Sequence, residues 1–202
     1  SRLARSAFYQ MAAELGDDWV NDADALPVLE PRIAFRSIVH ATNQRKVWAA
    51  LVPERTPLTN AAPYLTFSRG NLVTQAFVLG MLNSSPCDWF GHLFVVLNLN
   101  YFILNSLPLP MFDVDCPIHV RAAALAATLA TGGTTSGYGE WGDLILQDPP
   151  SQEEMIAEID GIASILFGLA DDELPLVWDG ENLTRPDLAQ VEAHRRTWLP
   201  DG

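Results

Sequence analysis

The chain has 202 residues, of which 49% are hydrophobic, and a formal net charge of -13. This length and composition predict a soluble globular protein with one generous domain, or a domain with an appendage. The chain contains no uninterrupted run of about eighteen apolar residues, so we predict no membrane-spanning helix. The only cysteines, Cys87 and Cys116, exclude a disulfide framework or a CxxC zinc cluster, and we expect a reducing cytoplasm with no membrane partner.

The charge is unevenly distributed along the chain. Residues 1–110 contain eight basic and eight acidic residues, whereas residues 111–202 contain four basic and seventeen acidic residues. Between Arg32 and Arg69 there are six Arg or Lys residues and one acid, Glu54. The net charge argues against nucleic-acid binding, but this basic segment is a candidate for contacts with phosphates.

The N-terminal part predicts one helix followed by three strands. Apolar residues between Leu3 and Leu15 have helical spacing, and residues 17–31 have the composition of a connection. Three runs rich in β-branched and aromatic residues then predict strands, "RIAFRSIV" (32–39), "KVWAALVP" (46–53) and "PYLTFS" (63–68). We expect the first two to form a hairpin around the polar turn 40–45.

Helices are predicted for most of the following residues. Ser68 or Asn71 can cap a helix over 72–82, and Pro86 fits the first turn of a second helix. The segment "NYFILNSLPLP" (100–110) is expected to be extended or briefly helical, because prolines interrupt it.

The acidic C-terminal part is also predicted to be mainly helical. Residues 115–133 predict a helix that ends at Gly132, and the glycine-rich residues 134–150 predict an exposed loop. Ser151 and Glu154 form a capping box before an apolar stripe that ends at Leu166 and Phe167. Two shorter helical pieces are expected in the segments 170–178 and 184–198.

These elements predict an α+β fold with a small mixed or antiparallel sheet packed on helices, and a helical C-terminal part. We expect residues 1–150 to form the α+β domain. Residues 151–202 are expected to be an acidic helical extension packed on the same domain.

Catalytic motifs are largely missing from the sequence. There is no GxSxG, HExxH, P-loop or GxGxxG motif, and the four histidines are scattered. The tetrapeptide "DPPS" (148–151) resembles the Asp/Asn-Pro-Pro-aromatic motif with which adenine-N6 methyltransferases hold the target amino group. Ser151 stands where an aromatic ring would stack on a flipped base, and it suits a helix cap better. We therefore predict neither a catalytic nor a metal site.

The segment 32–53 gives the strongest functional signal. Thr42 and Asn43 can hydrogen-bond to base edges, and Arg36, Arg45 and Lys46 can contact phosphates or guanine. An ordinary hairpin with solvated charges and a turn-forming asparagine explains the same residues. The pattern alone therefore leaves both interpretations open.

Five blocks of sequence, in order and spacing, resemble the region C-terminal to the catalytic domain of adenine-N6 DNA methylases. These methylases belong to large bacterial restriction-modification and phage-defence systems, including single-chain Type IIG-like enzymes. The blocks lie within residues 30–170 and read "RIAFRSIVHATNQRKVWAALVP", "APYLTF", "LGMLNSSPCDWFGHL", "LNLNYFILNSLPLP" and "EEMIAEIDGIASILFGL". The chain departs from the family pattern at Lys46, where threonine is usual, and in the acidity of residues 111–202.

The resemblance implies a target-recognition domain that binds double-stranded DNA while a methylase catalytic domain flips out and methylates adenine. That catalytic domain is expected outside these residues, in the same chain or in a partner subunit. S-adenosylmethionine would bind there, so this chain is expected to hold no cofactor and not to be catalytic alone. The expected DNA-contacting residues are Arg36, Thr42, Asn43, Arg45, Lys46, Arg69, Asn98 and Asn100.

The alternative is a protein-docking domain that assembles a methylase or phage-defence complex without direct base readout. The acidic C-terminal part and the apolar stripe ending at Leu166 and Phe167 favour this alternative.

Overall fold

A computed structural model describes residues 27–40, 42–67, 71–178 and 185–199 of the chain. The predicted N-terminal helix and Arg69 lie outside these residues. The described part has an α+β fold, as the sequence predicts. No helix in it is both long and apolar enough to cross a membrane.

The sheet is smaller than the sequence predicts. Strands β1 (Arg32–Phe35) and β2 (Ala49–Val52) pair antiparallel, with Ile33 opposite Leu51. The third predicted strand contributes an isolated bridge between Tyr64 and Ala34, on the other edge of β1. Strand β2 is therefore the outer strand on its side.

The predicted short hairpin turn is wrong, because residues 36–48 all lie between the two strands. Within this connection, the Val39 N–H donates to the Leu97 carbonyl at 2.9 Å, and the Leu99 N–H donates to the Ser37 carbonyl at 2.8 Å. Residues 37–39 thus pair with residues 97–99 rather than continuing the hairpin. The driving force is burial, since Val39 and Leu99 are both fully buried in the second of two hydrophobic clusters.

The helices begin and end close to the positions that the capping residues predict. Helix α1 spans Leu72–Leu82, α2 Ser85–Phe94, α3 Tyr101–Leu104, α4 Pro117–Thr131, α5 Gln152–Leu166, α6 Leu174–Trp178 and α7 Leu188–Trp198. Asn71 caps α1 by accepting from the Thr74 N–H at 3.0 Å, and Gly132 ends α4 in a left-handed conformation. Ser151 and Glu154 form the predicted capping box of α5.

The larger hydrophobic cluster lies between the sheet and helices α1, α4 and α5. It includes Ile33 and Leu51 from the sheet and Ile159 and Ile162 from α5. Helix α5 therefore belongs to the same core as the sheet, although it follows residue 150. Helix α7 packs closely on α5 at Gly161, where a Cβ atom would lie 2.9 Å from the Arg195 backbone nitrogen.

Two sequence-based expectations about the C-terminal part are corrected by this packing. The glycine-rich segment 134–150 is not simply an exposed loop, because it contains a 3-10 helix at Gly139–Leu144 that buries Trp141 in the core. The stripe ending at Leu166 and Phe167 packs against the hydrophobic clusters, so these two residues belong to the interior surface of α5.

Candidate nucleic-acid interface

Residues 37–39 and 97–99 form a short two-stranded β-ribbon. We call this pairing, together with its flanking residues Arg36 and Asn100, the polar ribbon. Ile38 and Asn98 form an antiparallel bridge at its centre. Arg36 precedes this pairing, where its N–H donates to the Trp48 carbonyl at 3.0 Å, and Asn100 follows it. Residues that are separated by about sixty positions in the sequence therefore lie side by side.

One face of the polar ribbon points into the core and the other faces solvent. Val39 and Leu99 are buried, whereas Arg36, Asn98 and Asn100 are exposed. Val39 and Leu99 thus alternate with their exposed neighbours Ile38 and Asn98, as in a pleated backbone, whereas Leu97, opposite Val39, is 59% exposed. Three of the predicted DNA-contacting residues, Arg36, Asn98 and Asn100, are thus exposed within or beside this pairing.

Two of these three side chains are oriented by local hydrogen bonds. Arg36 Nε donates to the Ile38 carbonyl at 2.9 Å, which holds the exposed guanidinium along the ribbon. Asn100 Oδ1 accepts from the Ile103 N–H at 3.0 Å and caps α3. Among the described residues, none forms a hydrogen bond with the Asn98 side-chain amide, which therefore has its donors and its acceptor available.

The turn that follows the first strand of the polar ribbon carries two more of the predicted residues. The Asn43 N–H donates to the His40 carbonyl at 3.0 Å, which closes the turn. Thr42 is exposed at this turn and Asn43 is half-buried. Both extend the polar surface beyond the ribbon.

Lys46 and Arg45 lie in a different environment from Arg36. Lys46 is only 4% exposed, and its ammonium donates to the His40 carbonyl at 2.8 Å. Arg45 is half-buried, donates to the Asn83 carbonyl, and lies over the Trp48 ring at 5.7 Å from the centroid. In this conformation the two side chains stabilise the connection between the strands.

Asp88 anchors the end of this connection. Its Oδ1 accepts from the Lys46 N–H at 2.7 Å and from the Val47 N–H at 3.0 Å, and the carboxylate is buried. The Arg185 guanidinium lies 3.7 Å from Oδ2. The buried carboxylate therefore replaces a strand partner for two consecutive backbone donors.

A second buried carboxylate, Asp160, holds the start of α2. It accepts from the Ser85 N–H at 2.7 Å and from the Ser85 hydroxyl at 2.6 Å. Burial raises the pKa of Asp160 to about 6, although the hydrogen bonds from Ser85 oppose this shift. Burial also raises the pKa of the nearby Cys87 thiol to about 12, so this thiol is not a nucleophile near neutral pH.

Sequence reasoning missed the main role of Asn83. Its Nδ2 donates to the Ala49 carbonyl at 2.9 Å, and its Oδ1 accepts from the Ala49 N–H at 3.2 Å. The side-chain amide thus pairs with the outer edge of β2 as a strand would. The only sequence signal was an amide at the end of a strongly apolar helix.

The basic segment presents less surface charge than its composition suggests. Arg32, Arg45 and Lys46 all make interior contacts, and Arg32 lies over the Tyr64 ring at 5.1 Å from the centroid. Arg36 and Arg55 are exposed. A nucleic acid bound here would meet hydrogen-bonding groups and few cations.

The described residues offer no other constellation of chemical groups. Within them, no group of three or more His, Cys, Asp or Glu side chains could hold a metal ion. Ser151 of the "DPPS" tetrapeptide caps α5, as the sequence predicts. No protein-family model, curated protein or solved structure matches this chain.

Proposed function

We propose that the chain is the DNA-recognition part of an adenine-N6 DNA methyltransferase or restriction-modification protein of a phage-defence system. Its partners would be double-stranded DNA and a methylase catalytic domain that binds S-adenosylmethionine. The proposal implies a cytoplasmic location, because chromosomal and invading DNA are methylated there in bacteria.

The observation that supports this proposal is the composition of the polar ribbon. Arg36 comes from the first block of sequence that resembles the methylase family, and Asn98 and Asn100 come from the fourth. A two-stranded β-ribbon fits the major groove of B-DNA, where arginine pairs with guanine and asparagine with adenine. Blocks that are distant in sequence therefore meet at groups suited to reading base edges.

The few exposed cations determine what kind of binding to expect. Each phosphate contact contributes about 0.9 to the slope of log affinity against log salt, so a surface with one or two exposed arginines gives a shallow slope. Most specificity would come from hydrogen bonds to bases rather than from charge. We therefore propose weak nonspecific binding, with affinity supplied largely by the catalytic domain.

The experiment that tests the proposal is selection of bound duplexes from a random pool by the 202-residue chain at low salt. Wild-type protein should enrich a defined sequence. Asn98→Ala should lose about 1–3 kcal/mol of discrimination at one base pair. Asn60→Ala, which changes an exposed asparagine in the connection 54–63, is the matched control and should keep the preference. Failure of the wild type to enrich any sequence would contradict base readout by this chain.

A second candidate function is protein docking, which a specific surface favours. Five large apolar residues in or beside the polar ribbon are each more than half exposed: Leu93, Phe94, Val96, Leu97 and Phe102. An apolar surface of this kind is typical of protein interfaces. The partner proposed for it is the methylase catalytic domain.

Co-purification at high salt separates the two candidates, because contacts that depend on phosphate charge weaken there. Under the docking hypothesis, the chain stays bound to a fragment that carries the catalytic domain. Replacing Phe94 and Phe102 with serine should release it. Replacing Val114 with serine changes another exposed apolar residue and should not. Release of the wild type by salt would count against docking through this surface.

A further inference from the structure

A cavity of about 570 Å³ lies between β2 and helices α1, α4 and α5. Its lining is mostly aliphatic and includes Leu79, Leu129, Ile156 and Ile159. The size and the apolar walls are those of small-molecule sites, which typically add a few polar groups that fix the ligand. The polar ribbon does not line this cavity.

The outer edge of β2 forms one wall of the cavity. In an antiparallel pair, the backbone groups of alternate residues point toward the partner strand and away from it. The Ala49 N–H and C=O point away from β1, since the Asn83 amide binds both of them. Leu51, two residues further along, therefore directs its N–H and C=O to the same outer edge.

Leu51 lines the cavity with its backbone groups unpaired. Among the described residues, none donates to its carbonyl or accepts from its N–H on this edge. The residue is only 6% exposed, so water has limited access to these groups. A buried, unpaired donor and acceptor in a strand is costly unless a ligand or water binds them.

Asn83 shows what kind of group fits this edge. Its planar amide presents an adjacent donor and acceptor, and both meet Ala49 at normal hydrogen-bond distances of 2.9 and 3.2 Å. A ligand with the same edge would bind to Leu51 in the same way. Nucleobases have such an edge on a flat ring that aliphatic walls can enclose.

The mouth of the cavity supplies two further features. Trp48 is 46% exposed there, with Arg45 stacked over it, and can stack on a flat ring. Arg45 Nε is buried and has no hydrogen-bond partner among the described residues. Arg45 is also one of the residues that line the cavity, so its guanidinium can shift toward an acceptor on a ligand.

We propose that this cavity binds a nucleobase-type ring through the Leu51 backbone, with the ring enclosed by aliphatic side chains. The inference does not depend on duplex recognition by the polar ribbon. The ring could come from a free nucleoside or from an unpaired base of a single strand, and the chemistry of recognition is the same.

The first test is titration of the chain with adenine, followed by calorimetry or by the shift of the melting temperature. Adenine should bind saturably and raise the melting temperature. 9-Methyladenine keeps the amino donor beside N1 and should bind as well, whereas N6,N6,9-trimethyladenine keeps the ring but has no N–H donor and should bind at least about tenfold more weakly. Equal binding of 9-methyladenine and N6,N6,9-trimethyladenine, or no binding of adenine, would overturn the proposal.

A pair of variants locates the binding site. Ile156→Trp fills the cavity and should abolish adenine binding, whereas Ile165→Trp changes a half-buried isoleucine on the opposite side of α5 and should not. Ala130→Leu narrows the same cavity with a smaller side chain and replaces Ile156→Trp if that variant does not fold. Adenine binding that survives cavity filling in a folded variant would overturn the site.

The source of the ring is distinguished by comparing adenosine with a short single-stranded oligonucleotide. Tighter binding of the oligonucleotide indicates an unpaired base, and equal or tighter binding of adenosine indicates a free nucleoside. Duplex binding by Ile156→Trp should stay unchanged. Loss of duplex recognition in Arg36 or Asn98 variants would therefore not contradict nucleobase binding in the cavity. Loss of adenine binding in Ile156→Trp would likewise not contradict duplex recognition by the polar ribbon.

Discussion

The two ends of the connection 36–48 use similar polar residues in opposite ways. At the first end, Arg36 is exposed, next to the pairing of residues 37–39 with 97–99. At the second end, Lys46 is buried and donates to the His40 carbonyl, and Asp88 binds the Lys46 and Val47 backbone. A basic residue in a basic segment is therefore as readily a structural group as a nucleic-acid contact.

The difference follows from what surrounds each end. At the first end, residues 37–39 pair with residues 97–99, and buried side chains alternate there with exposed ones. At the second end, the Trp48 carbonyl accepts from the Arg36 N–H, but the N–H groups of Lys46 and Val47 are bound by the buried Asp88 carboxylate instead of a strand. Substitutions at the second end should therefore change stability, and substitutions at the first end should change binding.

The largest expected effect is that of Asp88→Ala. This change leaves two buried backbone donors without an acceptor and Arg185 without its counter-charge, which should cost about 3–5 kcal/mol of unfolding free energy. Urea denaturation measures this loss. Asp172→Ala changes an exposed carboxylate and should alter stability by less than about 0.5 kcal/mol. A stable Asp88→Ala variant would show that the second end is not held in this way.

Asn83→Ala should have the next largest effect. The change removes both hydrogen bonds to Ala49 and leaves that part of the β2 edge unpaired, at a cost of about 1–3 kcal/mol. Asn105→Ala, at the end of α3, is the matched control because Asn105 is exposed there. In thermal and urea unfolding, Asn83→Ala should lose more unfolding free energy than Asn105→Ala. Equal losses in the two variants would contradict the pairing of the Asn83 amide with the edge of β2.

Asp160→Asn should produce an effect that depends on pH. Burial raises the pKa of Asp160 to about 6, above the usual range of an aspartate, so the folded protein holds this proton more tightly than the unfolded chain does. The stabilisation from this proton is complete below about pH 4 and is lost as the pH rises through 6.

In Asp160→Asn, the neutral asparagine side chain does not titrate, so its contribution to stability does not depend on pH. As the pH rises from about 4 to 6, the unfolding free energy of the variant should therefore increase relative to that of the wild type. The increase should be about 1.4 kcal/mol per pH unit, or roughly 2–3 kcal/mol in total. Melting curves of both proteins between pH 4 and 7 measure this gain. Asp143→Asn, at an exposed carboxylate, is the control. Parallel curves for the wild type and Asp160→Asn would contradict the raised pKa.

The sequence predicted the helices well because local signals determine their ends. Asn71, Pro86, Gly132 and the Ser151 capping box each act within one helical turn. The overall α+β class was predicted for the same reason, since runs of strand-forming residues precede regions of helical spacing.

The polar ribbon could not be predicted, because it depends on contacts across about sixty residues. No local sequence signal indicates that residues 37–39 pair with residues 97–99 rather than with the residues that precede β2. The same applies to the burial of Lys46, which rests on the distant Asp88. The sequence shows that the segment is basic and polar, but only the fold separates its exposed residues from its structural ones.

The salt dependence of duplex binding tests the central claim most directly, by comparing Arg36→Gln with Lys46→Gln in the same 202-residue chain. Both variants lose one positive charge from the same connection, so net charge cannot distinguish them. Arg36→Gln should lower the slope of log affinity against log salt by about one unit without a loss of stability. Lys46→Gln should keep the slope and lose about 1 kcal/mol of unfolding free energy. An unchanged slope in Arg36→Gln together with a reduced slope in folded Lys46→Gln would contradict the assignment of the polar ribbon as the DNA-contacting surface.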